Sequence, residues 1–595
     1  MREYLRVAAA TPRVFPGDVK ENAKSIVRLV AEAAEKGVEV LTFPGLSLVG
    51  CTAGDLAYRP DVLDACKEAL ELIAKAVPDG MLAVIGLPAR CACGVSSAAA
   101  VVFGGGYVIA SGTAGDEKVF DICNGVKVGV VIGDDFALCD PMAQRLVAHG
   151  ANVILDLGSS CETAGSAAFR RDMVKAASSR LVAAYVYAGA GAGESPTDAV
   201  YAGHSIIAES GSVLAESERF LRESAMIVAD VDTEYIDFAR SRSESFRNDA
   251  RGIPVPADCI AAPVALKPKS SLLRPIERNP FVPEDKAARA EICAETFAIQ
   301  SAALAARLEA IPCKDVVIGL SGGLDSALAL LVCVEAFDRL GLDRKGIHAY
   351  TMPGFGTTRR TKGNAHKLCK ALGIDLETID IVPTCRRHFR DLGRGEEPHD
   401  TTYENAQARV RTLVLMDKAN QVGGFVVGTG DLSELALGWC TYNGDHMSLY
   451  AVNAGVVKTL VREVAAWYGA KHPECAKPIG GILETPISPE LLPANADGTI
   501  AQVTEDKVGP YCLHDFFLYH FIERGASKEK ILRLARQAFD GAYDGPTIEK
   551  WLGVFIRRFH SQQFKRNCMS DGPKTGPVSL SPRGGWTMPS DSRPL

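Results

Sequence analysis

The chain has 595 residues, of which 47% are hydrophobic and 23% charged, and its formal net charge is -7. This length predicts at least two domains. The net negative charge and the lack of a cluster of basic residues argue against nucleic-acid or membrane-surface partners. No apolar run is long enough to span a membrane, no secretory signal is evident, and the 17 cysteines form no CxxC pair, so we expect a cytoplasmic protein with reduced thiols.

Predicted strands and helices alternate in the first part of the chain. Helices are expected over 19–35 and 141–149, and only a short glycine-containing link is expected between Val101 and Val128. Strands are expected over 5–10, 38–43, 81–87, 98–103, 126–132, 151–157 and 225–232. The alternation predicts a layered α/β domain over residues 1–265.

Three stretches of this domain, residues 43–50, 129–135 and 183–205, resemble the nitrilase or carbon-nitrogen hydrolase family. The resemblance implies an αββα sandwich with an amidase site made of a Glu base, a Lys and a Cys nucleophile. In such a site the carboxylate takes the thiol proton, the ammonium stabilises the oxyanion, and the thiolate attacks an amide carbonyl.

The sequence departs from that family at the catalytic positions. Gly45 stands where the family has the Glu base, Gly133 stands where it has the Cys nucleophile, and the segment that carries the Lys is missing. Ser160 matches a position that helps to orient glutamine. Four residues could replace the lost groups by type only: Lys118, Cys51, Cys139 and Cys161. The resemblance therefore implies a degenerate glutaminase.

A proline-rich stretch separates this domain from the rest of the chain. Seven prolines fall between residues 248 and 283, with no sustained helical period, which predicts a connector along the surface. We assign residues 266–284 as the linker and 285–595 as the second domain, which begins with a long helix from about Glu284 to Ala310.

The second domain is organised around residues 316–326, a buried strand, a Ser-Gly-Gly turn and a helix that begins near Ser326. Glycines let the backbone approach a ligand closely, and the free amides of a helix N-terminus favour phosphate. The Lys of a Walker A loop is absent, and Asp325 offers a hard oxygen ligand for Mg2+ instead. The pattern resembles the pyrophosphate-binding loop of ATP pyrophosphatases.

Repeated strand–helix units follow this loop. Strands are expected over 347–352, 376–381 and 424–429, and helices over 361–372 and 403–421. This order predicts a doubly wound parallel sheet, in which ligands bind beyond the carboxyl ends of the strands.

Further motifs occur in order at 351–362, 403–409, 428–445, 453–460 and 561–566. The loop at 321–326 alone also fits GMP synthetase, asparagine synthetase or tRNA-thiolating enzymes. Together, the motifs resemble the NAD synthetase family over nearly the whole chain, in its long bacterial form with a fused amidase domain. The resemblance implies a ligase that amidates deamido-NAD through an adenylate and releases NAD, AMP and pyrophosphate.

The resemblance also implies roles for individual residues. Asp325 and Glu434 would bind Mg2+ and act in catalysis with Lys458 and Asp445, which could accept the ammonium proton. ATP as substrate would contact Gly319, Ser321, Gly322, Gly323, Leu324, Asp325, Ser326, Met352, Thr429, Lys458 and Thr485. Deamido-NAD would contact Asn405, Glu434, Trp439, Thr441, Asp445 and Lys565. Residues 485–491 resemble a loop that covers ATP.

The nitrogen donor stays open between two main alternatives. A lost glutaminase implies free ammonia, whereas a rearranged or partner-supplied glutaminase would allow glutamine. A hydrolase active only in the first domain and a noncatalytic scaffold fit the sequence less well. Family members form homo-oligomers, so we expect one here.

Overall fold

The protein is described by a computed structural model that covers residues 4–91, 94–110, 117–123, 125–138, 141–251, 258–262, 264, 269, 271–488, 491–492 and 504–594. The chain divides into two compact units, Met1–Pro275 and Ile276–Leu595. The division falls within the stretch 266–284 that the sequence assigns to a linker. Within the described part of the chain, none of the helices combines the length and apolar character that a bilayer crossing requires.

The first unit contains two sheets. Their strands are β1 (Tyr4–Thr11), β2 (Val40–Thr42), β3 (Leu82–Cys91), β4 (Gly94–Phe103), β5 (Gly106–Ala110), β6 (Lys118–Cys123), β7 (Val126–Ile132), β8 (Val153–Leu157), β9 (Ala184–Ala188), β10 (Ile206–Glu209), β11 (Ser212–Glu216), β12 (Ala225–Asp232) and β13 (Asp258–Ala261). The orders are β12-β1-β2-β3-β4-β5 and β11-β10-β9-β8-β7-β6-β13.

The helices of this unit are α1 (Val19–Glu35), α2 (Pro60–Ala76), α3 (Met142–Ala148), α4 (Ser166–Arg180), α5 (Thr233–Arg242) and α6 (Glu244–Arg251). Local sequence explains the bounds of α1: the Asp18 side chain accepts a hydrogen bond from Glu21 N, and Gly37 follows the helix at φ +69°.

Side-chain alternation along the strands builds the four layers. Leu5 and Val7 of β1 pack with Val128 of β7 between the two sheets, whereas Ala8 packs with Ile26 of α1 on the outer face of the first sheet. A third core joins the second sheet to α3 and α4. The αββα sandwich predicted from the sequence is confirmed.

Two expectations for this unit are wrong. The short link expected between Val101 and Val128 contains β5 and β6, each paired antiparallel with a neighbour. The proline-rich connector contains β13, which pairs parallel with β6. β5 and β13 are short and largely half-buried or exposed, so little hydrophobic pattern marks them in the sequence, whereas β6 buries Val119, Phe120 and Ile122 in the cores on both faces of its sheet.

The second unit is built on a parallel sheet of β14 (Val316–Gly319), β15 (Ile347–Thr351), β16 (Leu376–Thr378), β17 (Phe425–Gly428) and β18 (Tyr450–Ala451), in the order β16-β15-β14-β17-β18. Its helices are α7 (Lys286–Ala310), α8 (Leu324–Leu340), α9 (Arg359–Leu372), α10 (Val382–Asp391), α11 (Thr401–Val422), α12 (Leu432–Leu437), α13 (Lys458–Lys471), α14 (Pro473–Leu483), α15 (Thr504–Val508), α16 (Tyr511–Leu518), α17 (Lys528–Ala538), α18 (Gly545–Ser561) and α19 (Gln563–Arg566). The predicted parallel winding is confirmed, with β14 at the centre.

Candidate active site

A cavity of about 300 Å³ opens at the carboxyl ends of the central strands. Ser321 and Gly323 after β14, Met352 after β15 and Thr429 after β17 line it. Parallel strands bring the loops at their carboxyl ends to one edge of the sheet, which is where the sequence places the ligands.

The Ser-Gly-Gly turn forms one wall of the cavity. Gly322 has φ +82°, and a Cβ added there would lie 2.7 Å from the carbonyl carbon of Thr361. Gly323 N donates to Ser321 Oγ at 3.1 Å, and α8 begins at Leu324 immediately afterwards. Unpaired amides of the first turn and the helix dipole make this end of α8 suited to an anion.

A lysine and three carboxylates form the charged centre of the site. Lys458 Nζ lies 2.8 Å from Asp325 Oδ2, 2.6 Å from Asp431 Oδ2 and 3.0 Å from Glu434 Oε1. Burial lowers the pKa of Lys458, but the three carboxylates raise it by more, so the ammonium stays protonated. Burial, opposed by Lys458, raises the pKa of Glu434 to about 7.

Two helix starts hold this cluster in place. Asp431 caps α12, because its Oδ1 accepts a hydrogen bond from Glu434 N at 2.8 Å. Lys458 begins α13, and its backbone N donates to Ser433 Oγ at 2.8 Å. Ser433 in turn donates to the buried carboxylate of Asp515. The buried network fixes both the charged side chains and the helices that carry them.

A second group of predicted residues orders the turn after α12. Lys565 Nζ donates to the carbonyl oxygens of Gly438 and Cys440, both at 2.7 Å. Thr441 donates through Oγ1 to Asn405 Oδ1 at 2.9 Å and through its backbone N to Asp445 Oδ1 at 2.7 Å. This turn presents Trp439, Thr441 and Asp445 to the cavity.

The structure brings most of the predicted site residues to this one cavity. Those that line it are Gly319, Ser321, Gly323, Leu324, Asp325, Ser326, Met352, Thr429, Glu434, Trp439, Thr441, Asp445 and Thr485. Four predicted residues of the described chain lie behind the lining: Gly322, Asn405, Lys458 and Lys565. Gly322 packs against α9, and the other three hold lining residues in place.

Sequence analysis assigned no role to Asp431 and Asn453, although both lie within motifs that it singled out. Asp431 stands directly after a strand and at the start of a helix, which is a cap pattern that could have marked it. Asn453 Nδ2 donates to the carbonyl oxygens of Asp325 and Thr429, both at 3.0 Å. It therefore ties the loop after β17 to the start of α8.

The segment 571–575 supports the turn that carries Asn453. Ala451 N donates to the carbonyl oxygen of Asp571 at 2.7 Å, and Thr575 Oγ1 donates to that of Gly455 at 2.6 Å. A Cβ added at Gly455 would lie 2.9 Å from Thr575 N, so the two segments pack closely. Residues remote from the motifs thus help to shape the cavity.

In the first unit, the two glycines that the family resemblance assigns to amidase positions both lie beside the end of β8. Gly45 N donates to the carbonyl oxygen of Gly158, and Gly133 N donates to that of Leu157. Gly133 has φ +85°, and a Cβ added there would meet no atom within 4 Å. Backbone hydrogen bonds therefore hold the chain at both positions, and neither glycine contributes a side-chain functional group.

Cys51 is the thiol that approaches these glycines among the described residues. Its Sγ donates to the carbonyl oxygen of Gly45 at 3.0 Å. Burial raises the pKa of the Cys51 thiol, and the carboxylates of Glu194 and Asp134 raise it further. Glu194 is itself occupied, since it accepts hydrogen bonds from the backbone N of Cys51 and from Thr52. Cys161 is exposed, and Cys139 lies outside the described residues.

Comparison with known proteins identifies the family to which this chain is similar. Residues 298–541 match the family model described as NAD synthase. The chain is 38% identical to the glutamine-dependent NAD(+) synthetase of Mycobacterium leprae, over 99% of this chain and 96% of that protein. It is 28% identical to the enzyme of the same name from Xylella fastidiosa, over 96% of each chain.

Solved structures also match. A crystal structure of a glutamine-dependent NAD(+) synthetase from Cytophaga hutchinsonii matches 99% of this chain and 98% of its own, with 18% identity and a TM-score of 0.44. An amidase of the nitrilase superfamily from Nesterenkonia AN1 matches 42% of this chain and 98% of its own, with 20% identity and a TM-score of 0.34.

Proposed function

Because the chain belongs to the NAD(+) synthetase family and is a ligase that forms carbon–nitrogen bonds, we propose that it amidates deamido-NAD with nitrogen from free ammonia rather than from glutamine. The observation that carries the choice of donor is the pair Gly45 and Gly133, which the family resemblance assigns to the base and nucleophile positions of an amidase. A glycine can neither attack an amide carbon nor accept a proton from a nucleophile.

The surroundings of Cys51 support the same conclusion. Thiolate formation needs a nearby cation or a free base, whereas the charges around Cys51 are negative and raise its pKa. Glu194 already accepts hydrogen bonds from two backbone amides and from a hydroxyl. Cys51 therefore does not replace the lost nucleophile.

ATP would bind with its phosphates at the Ser-Gly-Gly turn. The amides at the start of α8 and the hydroxyls of Ser321 and Ser326, 3.2 Å apart, can hydrogen-bond phosphate oxygens. The ammonium of Lys458 can neutralise negative charge that develops as pyrophosphate leaves. Met352 and Thr429 would contact the nucleoside across the cavity.

The residues at this edge fit a magnesium ion. The ligand oxygens of Asp325, Asp431 and Glu434 lie within 4.8 Å of one another, and Asp325 Oδ1 is buried without a hydrogen-bond partner. Hard carboxylate oxygens beside a phosphate site are the donors that Mg2+ prefers. Asp325 and Glu434 would hold the ion, which when bound would screen the charge of the ATP phosphates.

Deamido-NAD would lie against the turn after α12. Trp439 offers an aromatic surface, while Thr441 and Asp445 offer polar groups within the same wall. Burial raises the pKa of Asp445, which favours a carboxyl group able to exchange a proton with the incoming nitrogen. Residues 485–488, which line the cavity, would exclude water from the adenylate.

A nitrogen-donor assay tests the proposal. Purified protein with ATP, Mg2+ and deamido-NAD is given either ammonium chloride or glutamine in ammonia-free buffer, and NAD and AMP are measured. We expect both products with ammonium and neither above background with glutamine. The Lys458→Met variant should lose the ammonium-dependent rate. Equal rates with the two donors would contradict the proposal.

The second candidate is a glutamine-dependent enzyme with a rearranged glutaminase. The observation in its favour is that the relative 38% identical over 99% of this chain is named for glutamine dependence. A glutamine-mimicking electrophile should then label a cysteine of residues 1–275. We expect no stoichiometric labelling, and labelling that glutamine prevents would favour this candidate.

We also propose a cytoplasmic homo-oligomer. Of the described cysteines, the buried ones are free thiols, as expected in a reducing compartment: Cys66, Cys293, Cys333, Cys369, Cys385 and Cys475. The first unit keeps its three cores although its amidase residues are lost, which fits a role in assembly. Light scattering should give a mass of several chains for the full-length protein, and a monomer would contradict this part of the proposal.

A further inference from the structure

The three carboxylates around Lys458 differ in their surroundings. The side chains of Asp325 and Glu434 are 22% and 21% exposed and face the cavity, whereas that of Asp431 is 0% exposed. Both oxygens of Asp431 are used within the protein, since Oδ1 caps α12 and Oδ2 lies 2.6 Å from the ammonium. Asp325 and Glu434 can therefore exchange partners with a ligand in the cavity, whereas Asp431 does not line it.

A bound cation would change the partners of Lys458. Three carboxylates surround the ammonium of Lys458, and two of them, Asp325 and Glu434, face the cavity. If Asp325 and Glu434 turned to Mg2+, Lys458 would lose two of its three partners. A buried ammonium with no partner is costly, and a long lysine side chain can adopt many rotamers.

We infer that Asp431 is a positioning residue that holds Lys458 towards the ATP phosphates after Asp325 and Glu434 have turned to the metal. The inference rests on the proposed ATP site. Asp431 reaches Lys458 from the start of α12, and Ser433 of the same helix binds the backbone N of Lys458. The backbone and the side chain of this lysine are therefore both fixed by the first turn of α12.

The proposal predicts a specific pattern of nucleotide binding. The probe is the non-hydrolysable analogue α,β-methylene-ATP, measured by calorimetry with Mg2+ and again with EDTA. Asp431→Ser keeps a side-chain acceptor for the α12 cap but does not reach Lys458. In Asp431→Asn the side-chain amide has a single acceptor oxygen. Lys458 and Glu434 N are both donors, so the amide can accept a hydrogen bond from only one of them.

Both variants should bind the analogue about tenfold or more weakly, because a charged interaction to the phosphate is misplaced. The loss should be larger with Mg2+ than with EDTA, because without the metal Asp325 and Glu434 still hold the ammonium of Lys458. In a Lys458→Met background, Asp431→Ser should cause little further loss. Asp544→Ser, at the exposed cap of α18, is the matched control and should bind as the wild type.

Three results would overturn the inference. These are wild-type affinity in both Asp431 variants, a loss of the Mg2+ effect that Asp431→Ser still causes in the Lys458→Met background, which would make Asp431 a metal ligand, and full additivity with Lys458→Met. Thermal unfolding of Asp431→Ser checks that the fold is intact. Wild-type protein that binds the analogue but makes no NAD would refute the proposed function and leave this inference standing.

Discussion

Gly322 gives the sharpest test of how the turn after β14 is built. Its φ of +82° is unfavourable for any residue with a Cβ, and a Cβ there would lie 2.7 Å from Thr361 C and closer still to its oxygen. Carbon atoms pack at about 3.5 Å or more, so Gly322→Ala must move the turn or the start of α9 by about 1 Å.

A displacement of this size at a reacting phosphate costs about 100-fold in rate, which is about 2.7 kcal/mol of transition-state free energy. We expect kcat/KM for ATP to fall by about that factor in the ammonium-dependent assay, with the KM for deamido-NAD changed much less. The matched control is Gly341→Ala at the end of α8, where φ is +64° and an added Cβ meets no atom within 4 Å.

Gly341→Ala has the backbone strain of a positive φ, about 1 kcal/mol, but no steric overlap between its Cβ and a neighbouring residue. It should lower the free energy of unfolding measured in urea and leave the ATP kinetics unchanged. If Gly322→Ala and Gly341→Ala have the same kcat/KM for ATP, the close contact between the turn and α9 does not position the phosphates.

Three further predictions concern other parts of the chain. Lys565→Met should raise the KM for deamido-NAD by about tenfold and leave that for ATP unchanged, because two carbonyl oxygens of the Trp439 turn lose their donor; equal effects on both substrates would contradict this. Gly133→Cys should leave the ammonium-dependent rate unchanged and give no glutamine hydrolysis, since a thiol alone lacks base and oxyanion donor; hydrolysis above background would contradict it. Burial lowers the pKa of His514 to about 4, so the unfolded chain binds the proton more readily below about pH 6.5, and the free energy of unfolding should fall between pH 6.5 and 4 by at most about 3 kcal/mol from this residue. Urea titrations of His514→Gln should show a shallower fall than the wild type, and parallel curves would exclude the effect.

Local sequence signals predicted the elements that are long and amphipathic. The helix expected over 19–35 is α1 with the same bounds, because a cap, an apolar stripe and a terminal glycine coincide. The parallel sheet and its central loop followed from strand–helix order and from the glycines of one turn. The short strands β5, β6 and β13 were missed because their pairing partners are set by tertiary structure.

The site residues to which sequence analysis assigned no role act through distant contacts. Asp431 gains its role from Lys458, which belongs to another helix, and Asn453 gains its role from two carbonyl oxygens on separate loops. Such relations appear only when the folded chain brings the partners together. The glycines at 45 and 133 are the opposite case, because the absence of a side chain is read from the sequence directly, while the loss of amidase activity that we infer from them stays a prediction.

The support that residues 571–575 give to the Asn453 turn has a consequence for synthesis in the cell. A growing chain still attached to the ribosome has made the Ser-Gly-Gly turn and Lys458 long before it makes Thr575, so its nucleotide pocket stays incomplete until translation is nearly finished. Chains that end before residue 571 lack the hydrogen bonds to Ala451 and Gly455, and we expect them to bind nucleotide more weakly than the full chain.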